Sequence, residues 1–203
     1  MSCYDGRALF WIARQGDMSL QIQRRWFNVD EYYRMTDAGI LSPDDRVELI
    51  EGEVIRMSPI GKFHASCVNR INNLFSQLVG RLAIVSVQNP VHLNDFSEPQ
   101  PDIALLKPRD DFYASRHPGP EDVLLIVEVA DTSALYDRGV KIPLYAQAGI
   151  PEMWLADLPG DFVGVFVSPV NGRYQNVREA RRGETLRLSS LAEITVRVDD
   201  LLG

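Results

Sequence analysis

The sequence predicts an α/β domain built around a mixed sheet, and three observations carry that expectation. Helix-like and strand-like patterns alternate along the chain: a helix, a hairpin, a long helix, three strands, a helix, a strand and a strand-rich tail. The run Val123–Val129 is almost entirely apolar, as expected of a central strand buried on both faces. The long segment Lys62 to Val79 has apolar residues at three- and four-residue spacing, the period of an amphipathic helix.

The elements follow in order. Residues 1–25 lack clear periodicity and read as a poorly ordered leader, with 26–203 as a single domain; Met18 is a plausible alternative start to Met1. From Asn28, NVDEYYRMTDAG reads as a short helix with Asn28 as N-cap, acids in the first turn and Gly39 beyond the end. RVELIEGEVIRMS alternates about Glu51-Gly52 and reads as a β-hairpin. In the long helix Phe63, Val68, Ile71, Leu74, Phe75 and Leu78 form the apolar stripe, and Gly80 closes it.

Strands are expected at Leu82–Val87, Asp102–Leu106 and Val123–Val129, with a polar loop, DDFYASRHPGPED, between the last two. A second helix spans about Val140–Ala148 and stops at Gly149, with Pro143 confined to its first turn because an interior proline costs about 3 kcal/mol. MWLAD is the next strand. FVGVFVSPVNGRYQNV forms a hairpin turning at Asn171-Gly172, and further strands lie around Leu186 and Val196.

Length and composition bound the rest. The chain has 203 residues, 45% hydrophobic and 24% charged, which excludes a disordered chain, a collagen-like fibre and a disulfide mini-scaffold. Its 21 basic and 28 acidic residues leave a net charge of −7, unfavourable for non-specific binding to nucleic acid or anionic membranes. Only three of the basic residues are lysines: Lys62, Lys107 and Lys141. Two cysteines, Cys3 and Cys67, match no zinc or disulfide framework. The apolar run Ala8 to Ala13 is too short for a signal peptide or a membrane span, so a cytoplasmic protein is expected.

Two acids sit where burial alone would not place them. Asp102 follows Pro101 at the start of DIALL, and Glu128 interrupts VLLIVEV. An ionised carboxylate rarely lies in such strands unless it is paired or binds metal. Brought together, the two would make a hard oxygen site suited to Mg²⁺ or Mn²⁺; held apart, they are salt-bridged or solvated structural acids. Lys141 lies 13 residues beyond Glu128, on the helix returning across the sheet, with Tyr145 on the same helix face. A lysine there either orients water and offsets charge at a phosphate, or is an ordinary surface cation.

Pro101-Asp102, Glu128 and a downstream lysine resemble the PD-(D/E)XK nuclease superfamily. Together RVELIEGEVIRMSPIGKFH, QPDIAL, IVEVADTS and DRGVKIPLYAQAGIPEMWLAD are similar to the Uma-type restriction-endonuclease family of bacteria, over about Trp26 to Leu202. The resemblance implies a restriction-endonuclease-like αβββαβ core, an N-terminal helix and hairpin, a β-rich C-terminal tail, dependence on Mg²⁺ (or Mn²⁺) and hydrolysis of DNA phosphodiesters. By position Asp102 and Glu128 are the metal carboxylates. Ala130 stands where the superfamily lysine is expected, and Lys141 is its counterpart on the next helix. Lys62–Gly80 contains no acid, so the ELIEGE hairpin offers Glu48 as the additional metal or catalytic carboxylate, with Glu53 as the lesser choice. His64 matches a family histidine; it either touches metal, water or phosphate or is a structural hydrogen-bonder.

Arg178, Arg181, Arg182 and Arg187, interleaved with Glu179 and Glu184, read as a solvated hairpin more than as a phosphate track. No phosphate-cradling glycine loop, zinc-finger spacing or nucleophile elbow is present. The expected function is a metal-dependent DNA endonuclease. The alternatives are a catalytically silent nuclease-fold module for DNA or protein binding, such as a homodimer built through the tail, and a hydrolase of another phosphate ester.

Overall fold

The computed structural model describes residues 24–42, 44–131 and 136–203; the expected leader falls almost wholly outside these. Helix α1, Val29–Asp37, begins at Asn28, whose side chain accepts from the Glu31 amide while Glu31 reaches back to the Asn28 amide. This reciprocal box satisfies two of the helix's orphan donors. Strands β1, Val47–Ile50, and β2, Glu53–Arg56, form the predicted hairpin. Glu51 and Gly52 both have positive φ, 49° and 80°, the twist a two-residue turn requires.

Helix α2, Lys62–Val79, has the predicted bounds. Its buried stripe is Cys67, Val68, Ile71, Phe75 and Val79, whereas Phe63 and Leu78, expected in that stripe, are 65% and 41% exposed. Phe63 lies before the packed length, and Leu78 points away from the face that buries its neighbour Val79. The sheet runs β3-β4-β5-β6-β7-β8, with β3 Ile84–Val87, β4 Ile103–Leu106, β5 Val123–Ala130, β6 Glu152–Asp157, β7 Phe162–Val170 and β8 Arg173–Arg181. Only β5 and β6 are parallel, and their crossover carries helix α3, Ile142–Gln147. The sheet is therefore mixed, as predicted. Short strands β9, Thr185–Arg187, and β10, Thr195–Arg197, pair with each other and lead into α4, Val198–Leu202.

Strand alternation divides the core in two. Leu125, Val127 and Val129 face α2 together with Ile103, Leu105 and Trp154. Ile126 and Ala130 face α3, packing with Leu144, Tyr145, Ile150 and Met153. Glu128 shares the parity of Ile126 and Ala130 and so points toward α3. Among the described residues no helix is long and apolar enough to cross a membrane.

Candidate active site

Register creates the site. Ile103 pairs with Val127 across the antiparallel β4–β5 ladder, so the next position along sets Asp102 opposite Glu128. The Asp102 amide donates to Glu128 Oε2 at 3.3 Å, and the Val129 amide donates to Asp102 Oδ2 at 2.9 Å. The acids far apart in sequence are thus cross-linked through backbone, and both are buried.

Two further elements bring their side chains to this pair. The hairpin is sewn to the segment before β4: the Glu98 amide donates to the Leu49 carbonyl at 2.8 Å, and the Gln100 amide to Glu48 Oε2 at 3.1 Å. From the other side, a π-helical turn, Asp137–Lys141, runs into α3. Pro143 lies in the first turn of α3, where its missing N–H costs least. Lys141 Nζ then sits 3.2 Å from Glu128 Oε1 and 3.3 Å from Glu48 Oε2, with only 7% of its side chain exposed. Tyr145, one turn on and fully buried, donates to Glu128 Oε1 at 2.6 Å.

His64, in the first turn of α2, contacts Asp102 Oδ2 through Nε2 at 3.0 Å, and Gln88 donates to Asp102 Oδ1 at 3.0 Å. The structure therefore brings all five predicted residues, Glu48, His64, Asp102, Glu128 and Lys141, to one place. Glu53 is not among them; it pairs with Arg24 at 3.0 Å on the surface. Asp131, just beyond β5, also lines the site. Arg178, Arg181 and Arg182 are engaged with Glu184, Glu179 and Asp161, in keeping with a solvated hairpin.

Sequence reasoning missed Gln88 and Tyr136. Gln88 follows β3 with φ of 51°, and its neutral amide carries no anomalous pattern. Tyr136 has a buried hydroxyl with no hydrogen-bond partner, as does His64 Nδ1, and these are the only two such atoms among the described side chains. Both residues line a cavity of about 430 Å³ that Glu48, Asp102, Glu128 and Lys141 also line. A buried unpaired polar atom costs about 1–3 kcal/mol, so the two marks on one cavity fit a site completed by a ligand or water.

The electrostatics follow from burial and pairing. Burial pushes the Glu128 carboxyl up to about 8, against the pull of Lys141. Burial alone would lower the Lys141 ammonium, but Glu128, Glu48 and Asp137 override it and hold it above its ordinary value. The hydrogen bond to Asp102 raises His64. Asp102 is lowered despite its burial, because His64, Gln88 and the Val129 amide all stabilise its charged form. Burial, then the nearby Glu48, lifts the Tyr136 phenol to about 12.

The donor set suits a hard cation. Among the described residues no three His, Cys, Asp or Glu side chains form a preformed cage. Mg²⁺ does not need one: it takes one or two carboxylates and keeps water elsewhere. Asp102 Oδ1 and Glu128 Oε2 each accept a single hydrogen bond, leaving lone-pair capacity on each oxygen. The cavity walls carry five carboxylates, Glu48, Asp102, Glu128, Asp131 and Asp137, against Arg46, Arg56 and Lys141, a formal excess of two negative charges.

The sequence model of the Uma2 family, described as "Putative restriction endonuclease", matches residues 29–199. Among solved structures, one described as a "putative nuclease" from Anabaena variabilis shares the fold with a TM-score of 0.65 and 17% sequence identity, covering 87% of this chain and 97% of that one. No curated protein sequence matches this chain.

Proposed function

The chain belongs to the Uma2 restriction-endonuclease family, and we propose that it is a metal-dependent endonuclease that hydrolyses DNA phosphodiester bonds. The observation that carries this reading is the convergence of Asp102, Glu128, Glu48 and Lys141 on one cavity from four separate segments of the chain.

Asp102 and Glu128 would hold Mg²⁺ or Mn²⁺, helped by the Val129 carbonyl and by Glu48. Such an ion, when bound, lowers the pKa of a water and stabilises charge developing on the phosphoryl oxygens. The protein's own groups do the rest. Lys141 donates a hydrogen bond to Glu128 and forms an ion pair with Glu48, which fixes the ammonium, and its three N–H donors leave capacity for a water or a phosphate oxygen. Tyr145 holds the Glu128 carboxylate from beneath. His64 and Gln88 fix the two oxygens of Asp102. Preorganisation of this kind costs no rearrangement at the moment of reaction.

The test is cleavage of supercoiled plasmid in Mg²⁺ or Mn²⁺, with EDTA as control, comparing wild type with Asp102→Ala and Lys141→Ala. Metal-dependent nicking lost in both variants is the expected result. A wild type silent on every DNA tried, or variants as active as wild type, refutes it. One observation favours a second reading, a silent binding module: Lys141, Tyr145, His64 and Gln88 already satisfy the carboxylates without metal. Calorimetric titration separates the two, since a module shows no Mn²⁺ binding at millimolar concentration.

A further inference from the structure

The hairpin carries more than Glu48 to the cavity. Arg46 immediately precedes β1 and Arg56 ends β2; Arg56 pairs in register with Val47, and the Met57 amide donates to the Arg46 carbonyl at 2.8 Å. Both arginines therefore sit at the open end of the hairpin, and both line the cavity. Among the described residues neither forms an ion pair, although five carboxylates line the cavity. Elsewhere the described arginines mostly do pair, among them Arg24, Arg109, Arg116, Arg138 and Arg197. Arg46 spends one N–H on the Ser58 carbonyl at 3.1 Å, which ties its guanidinium to the loop entering α2. Arg56 is exposed and its side chain has no hydrogen-bond partner among the described residues, so its donor fork is available.

A guanidinium kept off carboxylates in a chain with 28 acids and 21 bases retains its donors for an anion from outside. The planar fork fits two oxygens of a phosphate at once. The cavity has room for more than a hydrated ion: about 430 Å³, where a water takes about 30 Å³. The lining thus combines carboxylates and Lys141, suited to the reacting phosphate and its cation, with two guanidiniums free for a second anion.

We propose that Arg46 and Arg56 clamp a DNA backbone phosphate adjoining the one cut beside Asp102, Glu128 and Lys141. This rests on the nuclease reading, and it names the substrate as a polynucleotide, one with a phosphate beyond the bond that is cut. The clamp gives an acidic protein a local anchor for DNA.

The experiment is fluorescence anisotropy with a fluorescein-labelled DNA oligonucleotide over a range of salt concentrations in EDTA, so that binding is read without cleavage. The variants are Arg56→Gln, Arg46→Gln, Arg46→Lys and the double glutamine variant, with Arg173→Gln, an exposed arginine remote from the cavity lining, as the control for net charge. Each glutamine variant should weaken binding by on the order of tenfold, and the double variant should reduce the slope of log affinity against log salt by about one, because one phosphate contact is lost. Arg46→Lys should lose less than Arg46→Gln, and Arg173→Gln should match wild type. Unchanged affinity and slope in the double variant, equal loss in Arg173→Gln, or no DNA binding by wild type overturns the clamp. Failure of the nuclease reading looks different: the wild type binds and the double variant does not, but Mn²⁺ produces no nicks.

Discussion

Replacing Lys141 by methionine removes the one cation that the buried acids Glu48 and Glu128 share. The chain's stem volume is nearly preserved, so the effect is electrostatic. Lys141 Nζ lies 3.3 Å from Glu48 and 3.2 Å from Glu128, and the two carboxylate side chains are 3% and 4% exposed. Breaking a buried ion pair by deleting one partner costs about 3–5 kcal/mol, because the remaining charge stays desolvated. For a chain of this size that is a fall in Tm of about 6–20 °C. Glu128 can relieve part of this by taking up a proton, since burial already pushes its carboxyl up to about 8 and loss of Lys141 pushes it further. The cost of Lys141→Met is therefore greatest at alkaline pH and smallest near pH 5. The assay is urea denaturation of metal-free wild type and variant at pH 5.5 and 9. A variant within about 1 kcal/mol of wild type at pH 9, below the range for a broken buried pair, refutes the reasoning. So does a deficit larger at pH 5.5 than at pH 9.

Two further outcomes follow from the same geometry. In the metal-free protein the folded Glu128 carboxyl, at about 8, holds its proton more tightly than the ordinary value of 4.5, so stability falls as pH rises between those two values. Thermal melts of Glu128→Gln should lose most of that slope and keep only the part due to His64, which Asp102 raises; a variant slope as steep as wild type's places the effect elsewhere. Tyr136→Phe deletes a buried hydroxyl that has no partner, so it should melt at or slightly above the wild-type temperature. A loss of plasmid cleavage by that variant at unchanged Tm would place the hydroxyl on water or substrate, and a large loss of stability would refute its unpaired state.

The parts of the site that were legible in the sequence are those that broke a local rule. Glu128 stands out because VLLIVEV leaves an acid no innocent place, and Lys141 because lysine is scarce. Glu48 was legible only through resemblance: β1 is buried at Glu48, Leu49 and Ile50 alike, so alternation could not say which face mattered. Gln88 and Tyr136 break no rule and became visible only when β3 and the turn before α3 were placed beside Asp102 and Lys141. The long helix shows the limit of periodicity. Its bounds follow from Lys62 to Gly80, but the 3.6-residue repeat assigns a stripe without saying how much of it the sheet covers, and Phe63 fell outside.

Burial of a carboxylate does not by itself mark chemistry, and the neighbouring strand proves the point. Glu152 opens β6, is as buried as Glu128, and accepts from Trp154 Nε1 and the Ser189 amide, both at 2.7 Å. Those donors belong to packed core and backbone, and they close the carboxylate off as a structural pin. Glu128 also accepts hydrogen bonds, from the Asp102 amide, Lys141 and Tyr145, but both it and Lys141 line a cavity with an excess of acid and two unpaired buried atoms. The acidic balance of the chain acquires a local meaning there. The surplus that disfavours DNA over the surface as a whole is, in the cavity, a formal −2, which a divalent cation would neutralise, and on the proposed function Lys141, Arg46 and Arg56 would then be the cationic groups a phosphate meets.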